Sequence, residues 1–311
     1  MKSVKEQYGH IARKMMENAQ HSNRIGRESL YQEANLENRA LVNQVLDDLV
    51  LPESQVQGLE HLKQLHRYAQ EGYSCLILME HYSNFDIPCL YYLLEHSDEE
   101  SREAANSIVS MAGMKLNEES FFVHAFSEGY TRIVIYPRRS LEKIQDPELR
   151  AQEQKKAKDI NHSALREMIR CKHSGQMILV FPTGTRYRPG DPDTKRVLST
   201  VDSYIKSFDY MAFIGIAGNV LTVSPSGDME EDTVQPDTMV FSVSRPMDCR
   251  SYRDLVRNRT AEQEHAKEAV ARAVQDDLER MHEHAEHFRE KAHGGGDNSA
   301  DDHKNDVAAD N

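Results

Sequence analysis

The chain has 311 residues, enough for one large domain or two small ones, and a formal net charge of -13. This acidic balance argues against nucleic acid as a partner, and no apolar run approaches the roughly 18 residues that a membrane span requires. The N-terminus lacks the apolar core of a signal peptide, so we expect a cytoplasmic protein whose only membrane contact would be peripheral.

Residues 1–52 are predicted to form a small helical segment that packs on the main domain. Apolar residues recur at helical spacing through residues 4–15 and again through 36–49, and the segment shows no strand signal. Residues 52–72 have the pattern of a further amphipathic helix, with Gly72 as its stop.

The main domain, residues 53–290, is predicted to alternate strands with helices. Its apolar runs predict strands at 75–79, 107–111, 131–136, 176–181, 212–216 and 238–244. A polar linker is expected at 96–105 and a long basic helix at 147–173. Alternation of this kind predicts an α/β fold with a mostly parallel, mixed sheet flanked by helices.

The C-terminal part of the chain is strongly polar. A highly charged helix is predicted from Arg250 to about His287. The tail, residues 291–311, is rich in Gly, Asp and Asn, and we expect it to be disordered because it cannot bury enough surface to fold. Its histidines are interpreted as solvated rather than metal-binding.

Four cysteines, Cys75, Cys89, Cys171 and Cys249, are scattered without the spacing of a metal site. We expect them to be reduced thiols. Cys75 and Cys89 stand among apolar neighbours and are predicted to belong to the core.

One strand, turn and helix carry the first candidate for chemistry. The predicted strand at 75–79 is followed by His81 and, after four intervening residues, by Asp86. Ser83 and Asn84 are candidates to cap the helix that follows. Strand C-termini open onto the crevice of α/β proteins, so the Asp86 carboxylate would reach one imidazole nitrogen and leave the other for a substrate. The alternative is a helix cap beside an ordinary hydrogen-bonded loop histidine.

Two other predicted strands end in turns that carry arginines. These residues are Arg138 and Arg139 after one strand and Arg186 and Arg188 after the other. In a parallel sheet the turns share one edge, and converging guanidinium groups repel one another unless anions are present. Guanidinium matches phosphate oxygens in a bidentate fork, so the pattern favours a phosphate site, which Gly184 lets the backbone approach closely. The alternative is a set of surface arginines paired with acids such as Asp191 and Asp193.

Both motifs resemble those of a known family. Residues 81–86, His-Tyr-Ser-Asn-Phe-Asp, match the HX4D motif of the glycerolipid acyltransferases, and residues 181–186, Phe-Pro-Thr-Gly-Thr-Arg, look like their second signature. The chain is most similar to the soluble, chloroplast-type glycerol-3-phosphate acyltransferases, whose basic segment has its counterpart at residues 136–140. The resemblance covers about residues 70–250.

This resemblance implies transfer of a fatty acyl group from a thioester to a hydroxyl of glycerol 3-phosphate, the first step of phospholipid synthesis. His81 would take the hydroxyl proton and Asp86 would hold the imidazole, while the four arginines would bind the phosphate. Supporting roles fall to the turn residues Ser83, Asn84, Gly184 and Thr185. The implied donor is acyl carrier protein or acyl-coenzyme A, and no metal or cofactor is implied.

Other interpretations remain open at this point. Thr183 and Ser140 depart from the family's pattern, so the acceptor could instead be lysophosphatidic acid, which needs the same residues. A phosphate- or lipid-binding module without turnover would keep the fold, and a metal-dependent hydrolase would need a histidine cluster that the sequence does not show. The basic helix at 147–173 could dock the acidic carrier protein or anionic lipid, or it could be a solvated face.

Overall fold

The computed structural model describes residues 2–19, 29–114, 121–137, 140–141, 144–224, 231–259 and 266–294, with the side chains of 121–123 and 294 left out. The helices are α1 (Val4–Glu17), α2 (Leu36–Leu49), α3 (Leu59–Gln70), α4 (Asp86–Glu95), α5 (Glu99–Asn106), α6 (Phe121–Ser127), α7 (Pro147–Lys172), α8 (Val201–Lys206), α9 (Cys249–Asn258) and α10 (Ala266–Gly294). The strands are β1 (Lys2–Ser3), β2 (Tyr31–Gln32), β3 (Gln55–Gln57), β4 (Cys75–Met79), β5 (Ile108–Gly113), β6 (Arg132–Ile135), β7 (Met177–Val180), β8 (Tyr210–Ala217), β9 (Leu221–Thr222), β10 (Thr233–Val234), β11 (Val240–Val243) and β12 (Met247–Asp248).

The main sheet has the order β2-β6-β5-β7-β4-β8-β11-β3, with β12 paired to β8 outside this path. Its central strands, from β6 to β8, are parallel to one another. Strand β2 runs antiparallel to β6, β11 and β12 run antiparallel to β8, and β3 is parallel to β11. The predicted α/β fold with a mixed, mostly parallel sheet is therefore confirmed. One edge of the sheet carries the C-terminal ends of β4, β6 and β7, which lead into the loops with the candidate motifs.

Helices cover both faces of this sheet, which explains the continuous apolar runs of its central strands. Every residue of β4 and β7 is buried, as expected for parallel strands packed on both sides. One apolar layer joins the sheet to α1, α2, α3, α4, α5 and α6. The other joins it to α7, α8, α9 and α10.

A second, small sheet brings the beginning of the chain next to a distant segment. It is antiparallel, with the order β1-β10-β9. The backbone N–H of Val4 donates to the carbonyl of Asp232 at 2.9 Å, just before β10. This contact places Asp232 near the loop edge of the main sheet.

The long C-terminal helix α10 packs directly on β8. A Cβ added to Gly215 would lie 2.3 Å from backbone atoms of Met281 and His282, so the absence of a side chain permits this close approach. Further along, Arg289 donates to a carboxylate oxygen of Asp237 at 2.7 Å and to the Thr238 carbonyl at 3.1 Å. The helix is thereby anchored to the sheet at two levels.

The structure corrects three expectations in the first half of the chain. The N-terminal segment contains strands after all, since β1 joins the small sheet and β2 pairs with β6. The expected helix over 52–72 is a strand, β3, followed by α3, and the chain turns between them at Gly58 with φ of 74°. The expected linker at 96–105 contains α5, whose cap is the Asp98 carboxylate accepting from Ser101 N at 2.9 Å.

The structure also corrects the C-terminal region. The single helix expected from Arg250 to His287 is two helices, α9 and α10. Helix α10 continues through Gly294, so the first residues of the tail expected to be disordered, 291–294, are helical, and 295–311 lie outside the described residues. No helix in the described ranges combines the length and the apolar character needed to cross a membrane.

Candidate active site

The turn between β4 and α4 brings His81 and Asp86 into contact. Nδ1 of His81 lies 2.8 Å from Oδ2 of Asp86, and the Asp86 side chain is almost fully buried. An ionised carboxylate can only accept hydrogen bonds, so Nδ1 carries the proton and Nε2 has a free lone pair. Within the part of the chain that the structure describes, no group hydrogen-bonds to Nε2.

The carboxylate of Asp86 is held by the turn itself. It accepts hydrogen bonds from the backbone N–H of Tyr82 at 2.7 Å and of Ser83 at 3.0 Å, and from the Ser83 hydroxyl at 3.0 Å. Together with Nδ1 of His81, these groups give the carboxylate four hydrogen-bond donors, which fix its position. Residues 82 and 83 can donate to the Asp86 side chain because α4 begins at Asp86, directly after the turn.

The expected helix caps are placed differently. The N-cap position belongs to Phe85, which makes no side-chain cap, while the Ser83 hydroxyl accepts from Phe85 N at 3.1 Å and supports the turn. Asn84 lines the cavity described below. Pro88 lies in the first turn of α4, where a missing N–H is tolerated.

The loop that follows β7 packs against His81. The imidazole stacks on the ring of Phe181 with a centroid separation of 3.8 Å and an interplanar angle of 13°. The backbone N–H of Tyr187 donates to the His81 carbonyl at 2.8 Å. The two motifs, about a hundred residues apart in the chain, are therefore in direct contact at one edge of the sheet.

The second loop folds into a tight turn around Gly184. This residue has φ of 67°, a conformation that favours glycine, and its N–H donates to the Phe181 carbonyl at 3.0 Å. The Thr183 hydroxyl is buried and donates to the carbonyl of Thr185 at 2.7 Å. Thr183, which departs from the pattern of the family that this motif resembles, is thus a structural element of the turn.

The two arginines of this loop have different environments. Arg186 is 7% exposed, and its Nη1 lies 3.1 Å from the Asp232 carboxylate, which is 1% exposed and also accepts from Ser224 N at 2.8 Å. Arg188 is exposed and lines the cavity. Arg186 therefore has an acidic partner that the sequence did not single out, whereas Arg188 is an exposed residue of the cavity lining.

The exit of β6 lies at the same edge. The side chain of Asn161 on α7 accepts from Tyr136 N at 2.8 Å and donates to Tyr136 O at 3.0 Å. Tyr136, Pro137 and Ser140 line the cavity. Arg138 and Arg139, the other two arginines predicted for the site, lie outside the described residues.

A cavity of about 940 Å³ connects these loops. His81, Phe181, Gly184, Thr185, Arg186 and Arg188 contribute to its polar rim. Its walls also include Met111, Leu165, Met168, Val201 and Tyr204, which extend it as an apolar space beside α7 and α8. A ligand with a charged head group and an apolar chain matches this arrangement.

A network behind His81 links the site to α10 and was not found from the sequence. The carboxylate of Glu80 accepts from the Tyr82 hydroxyl at 2.9 Å and from Ile216 N at 2.9 Å, and it lies 3.3 Å from Nδ1 of His282. The hydrogen bond with Glu80 raises the pKa of His282, although burial opposes it. The one sign of this network in the sequence is Glu80, an acidic residue directly before His81.

The cysteines are far from nucleophilic. All four are free and buried, which confirms that Cys75 and Cys89 belong to the core. Burial raises the pKa of Cys75 to about 12 and that of Cys171 to about 11, and it also raises the pKa values of Cys89 and Cys249. Among the described residues there is no group of three or more His, Cys, Asp or Glu side chains arranged to hold a metal ion.

Comparison with known proteins adds one finding. A family model with the description Acyltransferase matches residues 53–213, slightly more than half of the chain. The matched stretch runs from before β3 into β8 and includes both loops that meet at His81. A search of curated proteins gives no match.

Proposed function

The chain belongs to the acyltransferase family, and on that premise we propose that it transfers a fatty acyl group from a thioester to a hydroxyl of glycerol 3-phosphate. Acyl transfer to a glycerolipid acceptor is the general reaction that membership of this family assigns to it. The proposed donor is acyl carrier protein or acyl-coenzyme A, as for the chloroplast-type soluble enzymes that the motifs resemble. The observation that carries the proposal is the 2.8 Å contact between His81 and Asp86 at the wall of a large cavity.

His81 is proposed to act as the general base. Its Nε2 takes the proton of the acceptor hydroxyl as that oxygen attacks the thioester carbonyl carbon. The carbon–sulfur bond then breaks, and the imidazolium returns the proton to the departing thiolate. Asp86 keeps Nδ1 protonated and stabilises the imidazolium, a role that its three further hydrogen-bond donors prepare it for.

Direct transfer fits the absence of a suitable nucleophile in the described part of the chain. The four cysteines are buried with raised pKa values, so their thiolates are not accessible at neutral pH. Ser83, the serine nearest the histidine in sequence, donates to Asp86 instead. An acyl-enzyme is therefore not part of the proposed mechanism.

Arg188, with Arg138 and Arg139, is proposed to bind the phosphate of the acceptor. Arg188 is exposed at the cavity, and the segment before Arg138 lines the same space. Arg186 is proposed to make a smaller contribution than Arg188, because its ion pair with Asp232 offsets much of its charge. Gly184 and Thr185 shape the turn that carries Arg186 and Arg188.

The apolar part of the cavity is proposed to hold the acyl chain. It is lined by Leu165 and Met168 of α7 and by Val201 and Tyr204 of α8. The same space would accept the chain of a lysophosphatidic acid, which makes acylation of that acceptor the second candidate function.

The remaining proposals concern the rest of the chain. We assign residues 1–52 as a helical cap, 53–290 as the catalytic domain and 291–311 as a tail. The exposed Leu165 and Ile169 on the basic helix α7 suggest a peripheral contact with a membrane or with the acidic carrier protein. The proposed compartment is the cytoplasm.

An acylation assay that pairs two acceptors with two donors tests this function. With glycerol 3-phosphate, the protein is expected to form lysophosphatidic acid, detected by mass spectrometry. Arg188→Ala is expected to raise the KM for glycerol 3-phosphate about tenfold or more with a smaller effect on kcat, because a charged phosphate contact is lost. Arg250→Ala, at an arginine whose side chain is 90% exposed on α9, is the matched control.

Two results would contradict the assignment. Acylation of lysophosphatidic acid but not of glycerol 3-phosphate would replace the proposed acceptor with the second candidate. An unchanged KM in Arg188→Ala would remove that arginine from the phosphate site.

A further inference from the structure

Arg132 is a buried arginine that the proposed mechanism does not use. It is the first residue of β6 and is 1% exposed. Its Nε donates to the side-chain oxygen of Gln32 at 2.8 Å. Neither Nη1 nor Nη2 has a hydrogen-bond partner in the part of the chain that the structure describes. Two unpaired donors on a buried cation are costly, so their retention needs a reason.

Arg132 lines the same cavity as His81. Arg132 and Tyr130 both line it, and the Tyr130 hydroxyl, 4% exposed, also has no hydrogen-bond partner among the described residues. Burial raises the pKa of Tyr130 well above its usual range, so the hydroxyl stays protonated and can donate. Two residues of the cavity lining thus carry three donor atoms that have no partner among the described residues.

The charge of Arg132 is not neutralised by a hydrogen-bonded carboxylate in the described residues. The nearest acid that influences it is Glu128, which instead lies 3.1 Å from Nε2 of His124 and 3.4 Å from Nδ2 of Asn38. Burial lowers the pKa of Arg132 to about 10, so the side chain remains a cation at neutral pH.

Arg132 lies far from the proposed reacting groups. It stands opposite Ser110, which stands opposite Leu179, which stands opposite Ile77, so three strand spacings separate Arg132 from the strand that leads to His81. With strands about 4.8 Å apart and a rise of about 3.3 Å per residue, the Cα atoms of Arg132 and His81 are roughly 20 Å apart. Glycerol 3-phosphate is too short to contact both side chains.

Apolar groups line the cavity between the two ends. Phe85 and Pro88, at the beginning of α4, and Phe126 of α6 contribute to this wall, and the rings of Phe85 and Phe126 stack at 5.7 Å. A ligand that extends from the rim to Arg132 must therefore have an apolar body and end in a group that accepts from a guanidinium fork.

We propose that Arg132 and Tyr130 form a second anion subsite, which binds the carboxylate or phosphate at the end of an amphiphilic chain inside the cavity. Nη1 and Nη2 would donate to two oxygens of that group, and the Tyr130 hydroxyl would donate to it as well. The subsite is distinct from the proposed phosphate site at Arg188 and does not depend on acyl transfer by His81.

Calorimetric titration of the purified full-length chain tests the subsite. The probes are tetradecanoate and dodecyl phosphate, which have a chain and an anion, tetradecanol, which lacks the anion, and inorganic phosphate, which lacks the chain. The wild-type protein is expected to bind both amphiphilic anions, and Arg132→Met is expected to weaken them about tenfold or more while leaving tetradecanol unchanged. Comparison of the two anions shows whether carboxylate or phosphate is preferred.

Control variants separate an effect on ligand binding from an effect on folding. Arg132→Met removes an unpaired buried cation, so its Tm is expected to match or exceed that of the wild type. Arg132→Lys keeps the charge without the fork and is expected to bind with intermediate affinity. Arg250→Met, at the exposed position on α9, is expected to bind the anions as the wild type does.

Three outcomes would overturn the proposal. Unchanged binding of both amphiphilic anions by Arg132→Met and Arg132→Lys would show that the guanidinium is not a ligand contact. A large loss of Tm in Arg132→Met would assign the residue a structural role. Binding of inorganic phosphate as tight as that of dodecyl phosphate would remove the requirement for an apolar chain.

Discussion

The paired side chains His81 and Asp86 could be predicted from the sequence because their contact is local. A short turn joins β4 to a helix that begins at Asp86, and this geometry directs the Asp86 carboxylate towards the turn. The partner of Arg186 could not be predicted in this way. Asp232 comes from a distant acidic stretch, and only the pairing of β1 with β10 brings that stretch to the site.

The ion pair between Arg186 and Asp232 is buried, which leads to a prediction for stability. Arg186→Met leaves the Asp232 carboxylate buried without its cation, so the free energy of unfolding is expected to fall by about 3–5 kcal/mol. Arg186→Met combined with Asp232→Asn is expected to recover part of that loss. Urea unfolding of the single and double variants measures both effects, and Arg250→Met is the exposed control. A loss below about 1 kcal/mol in the single variant would mean that the pair is solvated.

Helix α10 is the element that most directly supports the motif turn from behind. Its close contact with β8 at Gly215 places His282 beside Glu80, the residue before His81. A continuous charged helix was expected in this region, and the sequence offered no stop signal between α9 and α10. The sequence of a charged helix does not show which of its faces contacts the sheet. Here the contact depends on Gly215 of β8, whose missing side chain lets the α10 backbone come close.

The contact between His282 and Glu80 predicts a pH dependence of stability. The hydrogen bond with Glu80 raises the pKa of His282 in the folded protein, while burial and Lys195 oppose the shift. The folded pKa lies above the unfolded value of about 6.5, so this stabilisation is complete below that pH and is lost as the pH rises through the folded pKa.

Urea unfolding of the wild type and His282→Gln from pH 6 to pH 9 measures this contribution. We expect the difference in unfolding free energy between the two proteins to be largest at pH 6 and to shrink as the pH rises. A difference that is constant or grows with pH would show that the charged form of His282 does not stabilise the fold.

At the scale of the whole molecule, the predicted core strands were the most reliable part of the sequence analysis. Buried parallel strands leave long apolar runs, and the run at 75–79 coincides with β4. Short edge strands leave no such pattern: β2 has two residues, and β3 is the polar sequence Gln-Val-Gln, paired with β11. Their positions follow from tertiary pairing, which a single sequence does not reveal.

The common rim of the sheet is the feature on which the functional account rests. The loops after β4 and β7 meet there through the stacking of His81 on Phe181 and the backbone bond from Tyr187. Arg132 was part of a predicted strand, and a charge inside a buried strand was a signal that the sequence analysis did not use. The functional residues of each loop could be predicted from the local sequence. The cavity that the loops share could not, because it depends on the order of the strands in the sheet.

The central claim is that His81 acts as the general base in direct acyl transfer, and single-turnover kinetics test it most directly. With glycerol 3-phosphate and an acyl thioester, His81→Ala is expected to lower the transfer rate by about 10²–10⁴-fold without loss of Tm, and His96→Ala, at an exposed histidine, is expected to behave as the wild type. Intact-mass spectrometry is expected to detect no acylated protein. A rate in His81→Ala within a few-fold of the wild-type rate, or a covalent acyl-protein intermediate, would contradict the account.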